Sequence, residues 1–308
     1  MTPDPRSKAL RRFAASITLA TVLGHSVLGF EQAYLTPIAG VLTALAAEFV
    51  LETAEAWGHG RRARYLAPAG QVIDFFLPAY IGGLACAMLL YGGSHLLPTV
   101  LAALVGVGSK YVLRVSPGPG RPARHFLNPS NLGICCVLLL FPWVSIAPPY
   151  QFTEWVFGPV DALVPLVVLT LGTLLNAKLT GKMPLILGWV GGFAAQAVLR
   201  GLFTDTAIPS ALLPMTGAAF VLYTNYMITD PGTTPWRRRE QVVFGLATAA
   251  VYGLLVHFHV VFGLFFALVI VCAGRGLVHA ASALYRRIST PAVPAPPPRA
   301  EVAAGVGP

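Results

Sequence analysis

Long apolar runs, separated by short polar connections rich in glycine and proline, recur from one end of the chain to the other. A helix crossing a bilayer needs about 20 mostly apolar residues. Runs of that order lie near Phe13–Phe30, Ala33–Leu51, Gln71–Tyr91, Leu96–Leu113 and Asn131–Ile146. Others lie near Val160–Leu175, Met183–Phe203, Leu212–Ile228, Gln241–Phe258 and His259–Ala273. The pattern predicts an all-α integral membrane protein of about ten transmembrane helices. Pro37, Pro78 and Pro165 fall inside runs, which a membrane helix tolerates when its neighbours re-satisfy the freed carbonyls. Residues 1–288 read as one polytopic membrane domain. Residues 289–308, with Pro-Ala-Pro-Pro-Pro at 294–298, read as a disordered cytoplasmic tail that cannot pack a core.

Charge placement tests this count. With the N-terminus inside, every one of the 21 Lys and Arg residues except Arg200 falls in an inner segment. The clusters are at the N-terminus, Arg61–Arg64, Lys110–Arg124, Lys178–Lys182, Arg237–Arg239 and Arg275 onward. A missed or invented span would move the later clusters to the wrong face, so the positive-inside rule predicts multi-pass insertion in the cell membrane with both termini cytoplasmic. Arg11 and Arg12 precede the first run as in a signal peptide. No small-x-small site ends that run, and cleavage would break the alternation, so it reads as a span.

Composition agrees with a lipid environment. Of the 308 residues, 56% are hydrophobic and only 11% charged, against roughly 25% charged in a soluble domain, and mean hydropathy is +0.69. The net charge of +9 belongs to loops facing an anionic leaflet, and no recognition motif accompanies it, so nucleic acid is not an expected partner. Cys86, Cys135, Cys136 and Cys272 lie in apolar runs with no metal-binding spacing and read as small packing residues. The histidines form no pair at matching depth for haem or metal. No Walker, His-Glu-x-x-His or Gly-x-Ser-x-Gly motif is present.

Ionisable groups in membrane helices cost about 2.5–3.5 kcal/mol each at the bilayer centre, so they mark candidate sites. Glu48, Asp74 and Lys110 stand near the inner ends of their spans, where they either snorkel and cap or line a polar vestibule. Two loop motifs share that face. His125-Phe126-Leu127-Asn128-Pro129-Ser130 opens the fifth span, with Asn128 placed to cap and proline in the first turn. Met227-Ile228-Thr229-Asp230-Pro231-Gly232-Thr233 closes the eighth as a turn. The helix entering it, Tyr223-Thr224-Asn225-Tyr226, is polar enough for helix–helix hydrogen bonds or for a ligand. Asn128, Thr229 and Asp230, with Glu48, Asp74, Lys110 and Asn225, form the candidate site.

These motifs carry a resemblance. Phe126–Gly133 resembles the Phe-Asn-Pro-Ala-x-x-Gly stretch of the D subunit of Rnf electron-transport complexes (RnfD), and Met227–Thr233 resembles that family's Ala-Thr-Asp-Pro-Val-Thr. The B subunit of sodium-translocating NADH:quinone reductase (NqrB) shares the pattern. The wording Asn-Pro-Ser-Asn and Ile-Thr-Asp-Pro-Gly-Thr-Thr-Pro is most similar to UnbU-type membrane proteins that accompany enediyne antibiotic biosynthesis. The resemblance implies two inverted five-helix halves and an accessory electron-transport role; the electron-transport relatives attach flavin mononucleotide to a threonine, and the departure from their motif makes non-covalent flavin or quinone the expectation here. The resemblance also implies other membrane or pathway proteins as partners. Covalent flavin mononucleotide is not expected, because the family's Ser-Gly-Ala-Thr is missing: the outer loop Ala147–Asp161 has only Thr153, and Thr216 sits in Met-Thr-Gly-Ala. Export of a hydrophobic product and scaffolding of pathway enzymes remain alternatives.

Overall fold

A computed structural model describes residues 5–116, 118, 121–147 and 157–289. Eleven helices follow one another among the described residues: α1 (Pro5–Ser26), α2 (Leu35–Gly58), α3 (Ala69–Leu89), α4 (Leu97–Val112), α5 (Pro129–Leu140), α6 (Pro159–Leu175), α7 (Met183–Phe203), α8 (Ile208–Leu212), α9 (Ala218–Leu222), α10 (Arg238–His257) and α11 (Gly263–Ser289). Sheet among the described residues is confined to two antiparallel two-residue pairings, β1 (Leu90–Tyr91) with β4 (Ser145–Ile146) and β2 (Arg114–Val115) with β3 (Arg124–His125). The 290–308 part of the expected tail, and Thr153 with most of the expected outer loop, lie outside the described residues.

Polarity is distributed inside out relative to a water-soluble fold. Leu42, Val50, Leu139, Leu187, Leu199, Val243 and Leu254 are exposed, while Glu48, Glu52, Asn131, Asn176, Lys182, Gln241 and Thr248 are buried. Lipid accepts the first set, and only internal partners satisfy the second. Among the described residues, five helices are long and apolar enough to cross a membrane: α2, α3, α7, α10 and the Gly263–Arg286 part of α11. The protein is an all-α, membrane-type chain.

Five full-length spans is fewer than the sequence pattern suggests, and the reasons are local. α4 and α5 are apolar but have 16 and 12 residues, about 24 and 18 Å at 1.5 Å per residue. α1 has the length, yet Lys8, Arg11 and Arg12 occupy its first turns. The expected Leu212–Ile228 span is broken: a 3₁₀ turn at Leu213–Thr216 precedes α9, which runs into a π-helical turn at Tyr223–Met227. α6 likewise ends in a π-helical turn, Asn176–Thr180.

Helices touch through small residues, which let backbones approach where no water is expelled to drive association. Gly40 on α2 faces Gly83 on α3 so closely that a Cβ on either would lie 2.7 or 2.5 Å from the other's carbonyl oxygen. Gly245 of α10 sits as tightly against the Leu185 carbonyl of α7, 2.5 Å from where a Cβ would be. α1 packs on α3, α2 on α4 and α4 on α5; α6 packs on α9, α7 on α10 and α10 on α11; α5 meets α11. An aromatic core of Trp189, Phe193, Phe220, Tyr223 and Tyr252 fills the second group.

Candidate functional site

One cavity of about 1360 Å³ is bordered by all seven candidate residues, Glu48, Asp74, Lys110, Asn128, Asn225, Thr229 and Asp230. Its size exceeds the roughly 300–1,000 Å³ of ordinary small-molecule pockets. Its walls divide into an ionic side, an amide side and an apolar groove.

The ionic side grows from one face of α2. Glu48, Glu52 and Glu55 recur at intervals of four and three residues, so helical geometry stacks them. Lys110, at the end of α4, reaches Glu48 at 2.5 Å, and the Tyr111 hydroxyl donates to the same carboxylate at 3.1 Å. Glu52 is fully buried and accepts from Arg61 Nη1 at 2.6 Å, from the Arg64 backbone N–H at 2.8 Å and from Arg64 Nε at 2.8 Å. Glu55 pairs with Arg61 at 2.8 Å and with Arg114. Asp74 belongs to a separate pair, holding Arg11 at 2.7 Å and accepting from Ser7 Oγ at 2.7 Å. Glu48, Asp74 and Lys110 thus each have an ionic partner on another helix.

The amide side joins the two sequence motifs. Asn128 caps α5 through Oδ1, which accepts from the Asn131 N–H at 3.1 Å, while its Nδ2 donates to the Met227 carbonyl at 3.1 Å. One side chain thus starts a helix in the first motif and ties it to the second. Thr229 Oγ1 donates to the Asn225 carbonyl at 2.6 Å, and Asn176 Nδ2 donates to that same carbonyl at 2.7 Å. The two π-helical turns meet here; such turns free carbonyls from the helical ladder and frequently occur at functional sites. Asn225 is 1% exposed, and its Oδ1 has no hydrogen-bond partner among the described residues. Asp230 forms the expected turn, accepting from the Gly232 N–H at 3.1 Å and from Thr233 Oγ1 at 2.8 Å.

Beneath that turn lies Lys182, read from the sequence only as a topology marker. It is fully buried, donates to the Pro235 carbonyl at 2.7 Å and sits 4.8 Å from the centre of the Trp236 ring. Burial pulls its pKa down to about 8, opposed by the charge of Asp230 and assisted by Arg275. Arg275 in turn donates to the Thr233 carbonyl at 2.6 Å. Glu52, Glu55 and Asn176 were also missed. The spacing of the three glutamates was a readable signal; nothing around Asn176 announced it.

The groove is hydrocarbon. Leu10, Ile17 and Leu23 of α1, Ile81 and Ala85 of α3, and Val164, Val167 and Leu171 of α6 line it, with Phe13 stacked on Tyr226 at 5.1 Å and 8°. Thr216, the residue nearest in wording to a flavinylation threonine, is exposed, and its hydroxyl donates to the Leu213 carbonyl at 2.8 Å. The described cysteines are free, and no group of His, Cys, Asp or Glu suited to a metal ion occurs among the described residues. No known family and no curated protein matches the chain.

Proposed function

We propose that the chain is an accessory membrane subunit resembling RnfD and NqrB, most similar to the UnbU-type proteins of enediyne biosynthesis. In this reading it holds a flavin or quinone non-covalently beside Asn128, Asn225, Thr229 and Asp230. The carrying observation is that the two motifs on which the resemblance rests are joined by the Asn128–Met227 hydrogen bond and border one cavity. Asn225 borders the cavity, and its Oδ1, shielded against Gly172 with no partner among the described residues, would be satisfied by a donor such as a flavin N–H or a hydroquinone O–H once the side chain turns toward the cavity. The two inverted halves and ten membrane segments are part of the same reading: packing of α1 on α3, α2 on α4 and α4 on α5 has counterparts in α6 on α9, α7 on α10 and α10 on α11. The distribution of Lys and Arg supports cytoplasmic termini in the cell membrane.

The test is an absorption spectrum of the full chain purified in neutral detergent, before and after denaturation. A flavin or quinone chromophore that leaves the protein on unfolding is the expected result; protein purified without either overturns the reading. A fluorescent flavin retained on a denaturing gel would contradict the non-covalent assignment. Export of a hydrophobic pathway product is the second reading, favoured by the groove along α1. Substrate-dependent efflux from vesicles separates it from the first.

A further inference from the structure

The rim of the cavity carries more cations than its carboxylates neutralise. Lys110, Arg61, Arg64 and Arg114 are each paired to Glu48, Glu52 or Glu55, and Asp74 is taken by Arg11. Asp230 is engaged in its own turn. Arg62 and Arg124 also border the cavity, are exposed, and have no carboxylate partner among the described residues. Behind them the groove follows α1 from Leu10 to Leu23, thirteen residues or about 20 Å at 1.5 Å per residue. Its far lining is apolar and continues to Val27 and Leu28.

We propose that this groove takes a membrane-dissolved, single-chain amphiphile with a phosphate head, of the isoprenyl monophosphate class. The chain lies between α1, α3 and α6, and the head rests on Arg62 and Arg124. A neutral quinone would fill the hydrocarbon wall and leave both guanidinium groups unmatched. A free phosphate would match the guanidinium groups and leave the groove empty. An amphiphile uses both, and guanidinium–phosphate pairing is charge-assisted and often bidentate. The inference goes beyond the redox reading and shares only the cavity with it.

Equilibrium binding of labelled geranylgeranyl phosphate to the full chain in neutral maltoside detergent tests it. Saturable binding is expected, with geranylgeraniol, menaquinone and inorganic phosphate each competing at least about tenfold less well, the equivalent of one good interaction. The double variant Arg62→Gln/Arg124→Gln should weaken binding about tenfold or more. Gly82 borders the groove on α3, and a Cβ there would meet nothing within 4 Å. Gly82→Leu should therefore grow into the groove and block the chain while the thermal unfolding midpoint stays near that of the parent. Equal competition by geranylgeraniol, or unchanged affinity in the arginine double variant, would overturn the proposal. Equal competition by phosphatidic acid would assign the site to bulk anionic lipid and overturn it as well. Protein that binds geranylgeranyl phosphate but carries no flavin or quinone would defeat the redox reading alone.

Discussion

Two sides of one cavity solve the same problem by different means. On the ionic side, three glutamates of α2 are neutralised by four cations: Arg61 and Arg64 of the α2–α3 connection, Lys110 of α4 and Arg114 of β2. On the amide side, Asn128, Asn176, Thr229 and the Asn225 amide nitrogen bond to backbone groups, and among the described residues Asn225 Oδ1 has no partner and Lys182 has no carboxylate in contact. Paired charges are costly to disturb, because removing one partner strands the other in a poor solvent. Neutral amides exchange partners cheaply. The ionic side therefore holds the cavity wall rigidly, whereas the amide side, in the proposed reading, is where a ligand competes for hydrogen bonds.

The largest expected effect is on the ionic side. Arg61→Gln with Arg64→Gln leaves Glu52 buried and uncompensated, which should cost about 3–5 kcal/mol in the manner of broken buried pairs. Adding Glu52→Gln should recover a substantial part. Thermal unfolding of the three proteins in detergent decides it; no recovery in the triple variant would mean the arginines act through packing, such as that of Arg64 on the Phe75 ring at 4.7 Å.

Lys182 gives the next effect, and its sign follows from burial. Its folded pKa, near 8, lies below the ordinary lysine value of 10.5, so between those pH values the unfolded chain binds more protons than the folded one. Stability from this group therefore rises with pH across that window, by an amount on the order of a few kcal/mol at most. Lys182→Met should flatten the rise when unfolding midpoints are compared from pH 7.5 to 10. Parallel curves for the two proteins would mean that the lysine reaches solvent.

Asn128→Ser separates capping from joining. Serine caps nearly as well as asparagine, so the start of α5 survives, but the donor to the Met227 carbonyl is lost. A loss of about 1 kcal/mol is expected from one net hydrogen bond, together with weakened cofactor retention. A variant indistinguishable from the parent in both would reduce the junction between the motifs to simple contact.

Asp230→Asn should be the mildest for folding, within about 0.5 kcal/mol, because asparagine supports the same turn. Removing the carboxylate also removes the charge that opposes the fall in the Lys182 pKa, so the rise of stability should begin at lower pH. If Asp230 serves the ligand, pathway output should fall while expression and unfolding stay normal. Full output would return Asp230 to a turn residue.

Much of this was legible along the chain because membrane helices announce themselves by composition, and helix ends by their residues. Asn-Pro before an apolar run specified the start of α5, and Asp-Pro-Gly specified the turn after Met227. The Leu212–Ile228 run was less well read: hydropathy cannot register that a helix breaks and rewinds with π geometry, since that depends on Asn176 and Trp189 meeting it from outside, the latter through Thr224 at 2.9 Å.

Sequence by itself determined that the chain is helical and apolar enough to face lipid, and where its polar turns lie, because each follows from local composition and spacing. Only the tertiary structure decided which polar groups are partners. Glu48 and Lys110 are 62 positions apart and Asn128 and Met227 are 99 apart, and no local rule links positions so distant. It also decided that Lys182 is buried while Arg62 and Arg124 are exposed at the rim. A cation's fate depends on the helices that close around it, and the positive-inside rule counts all three alike.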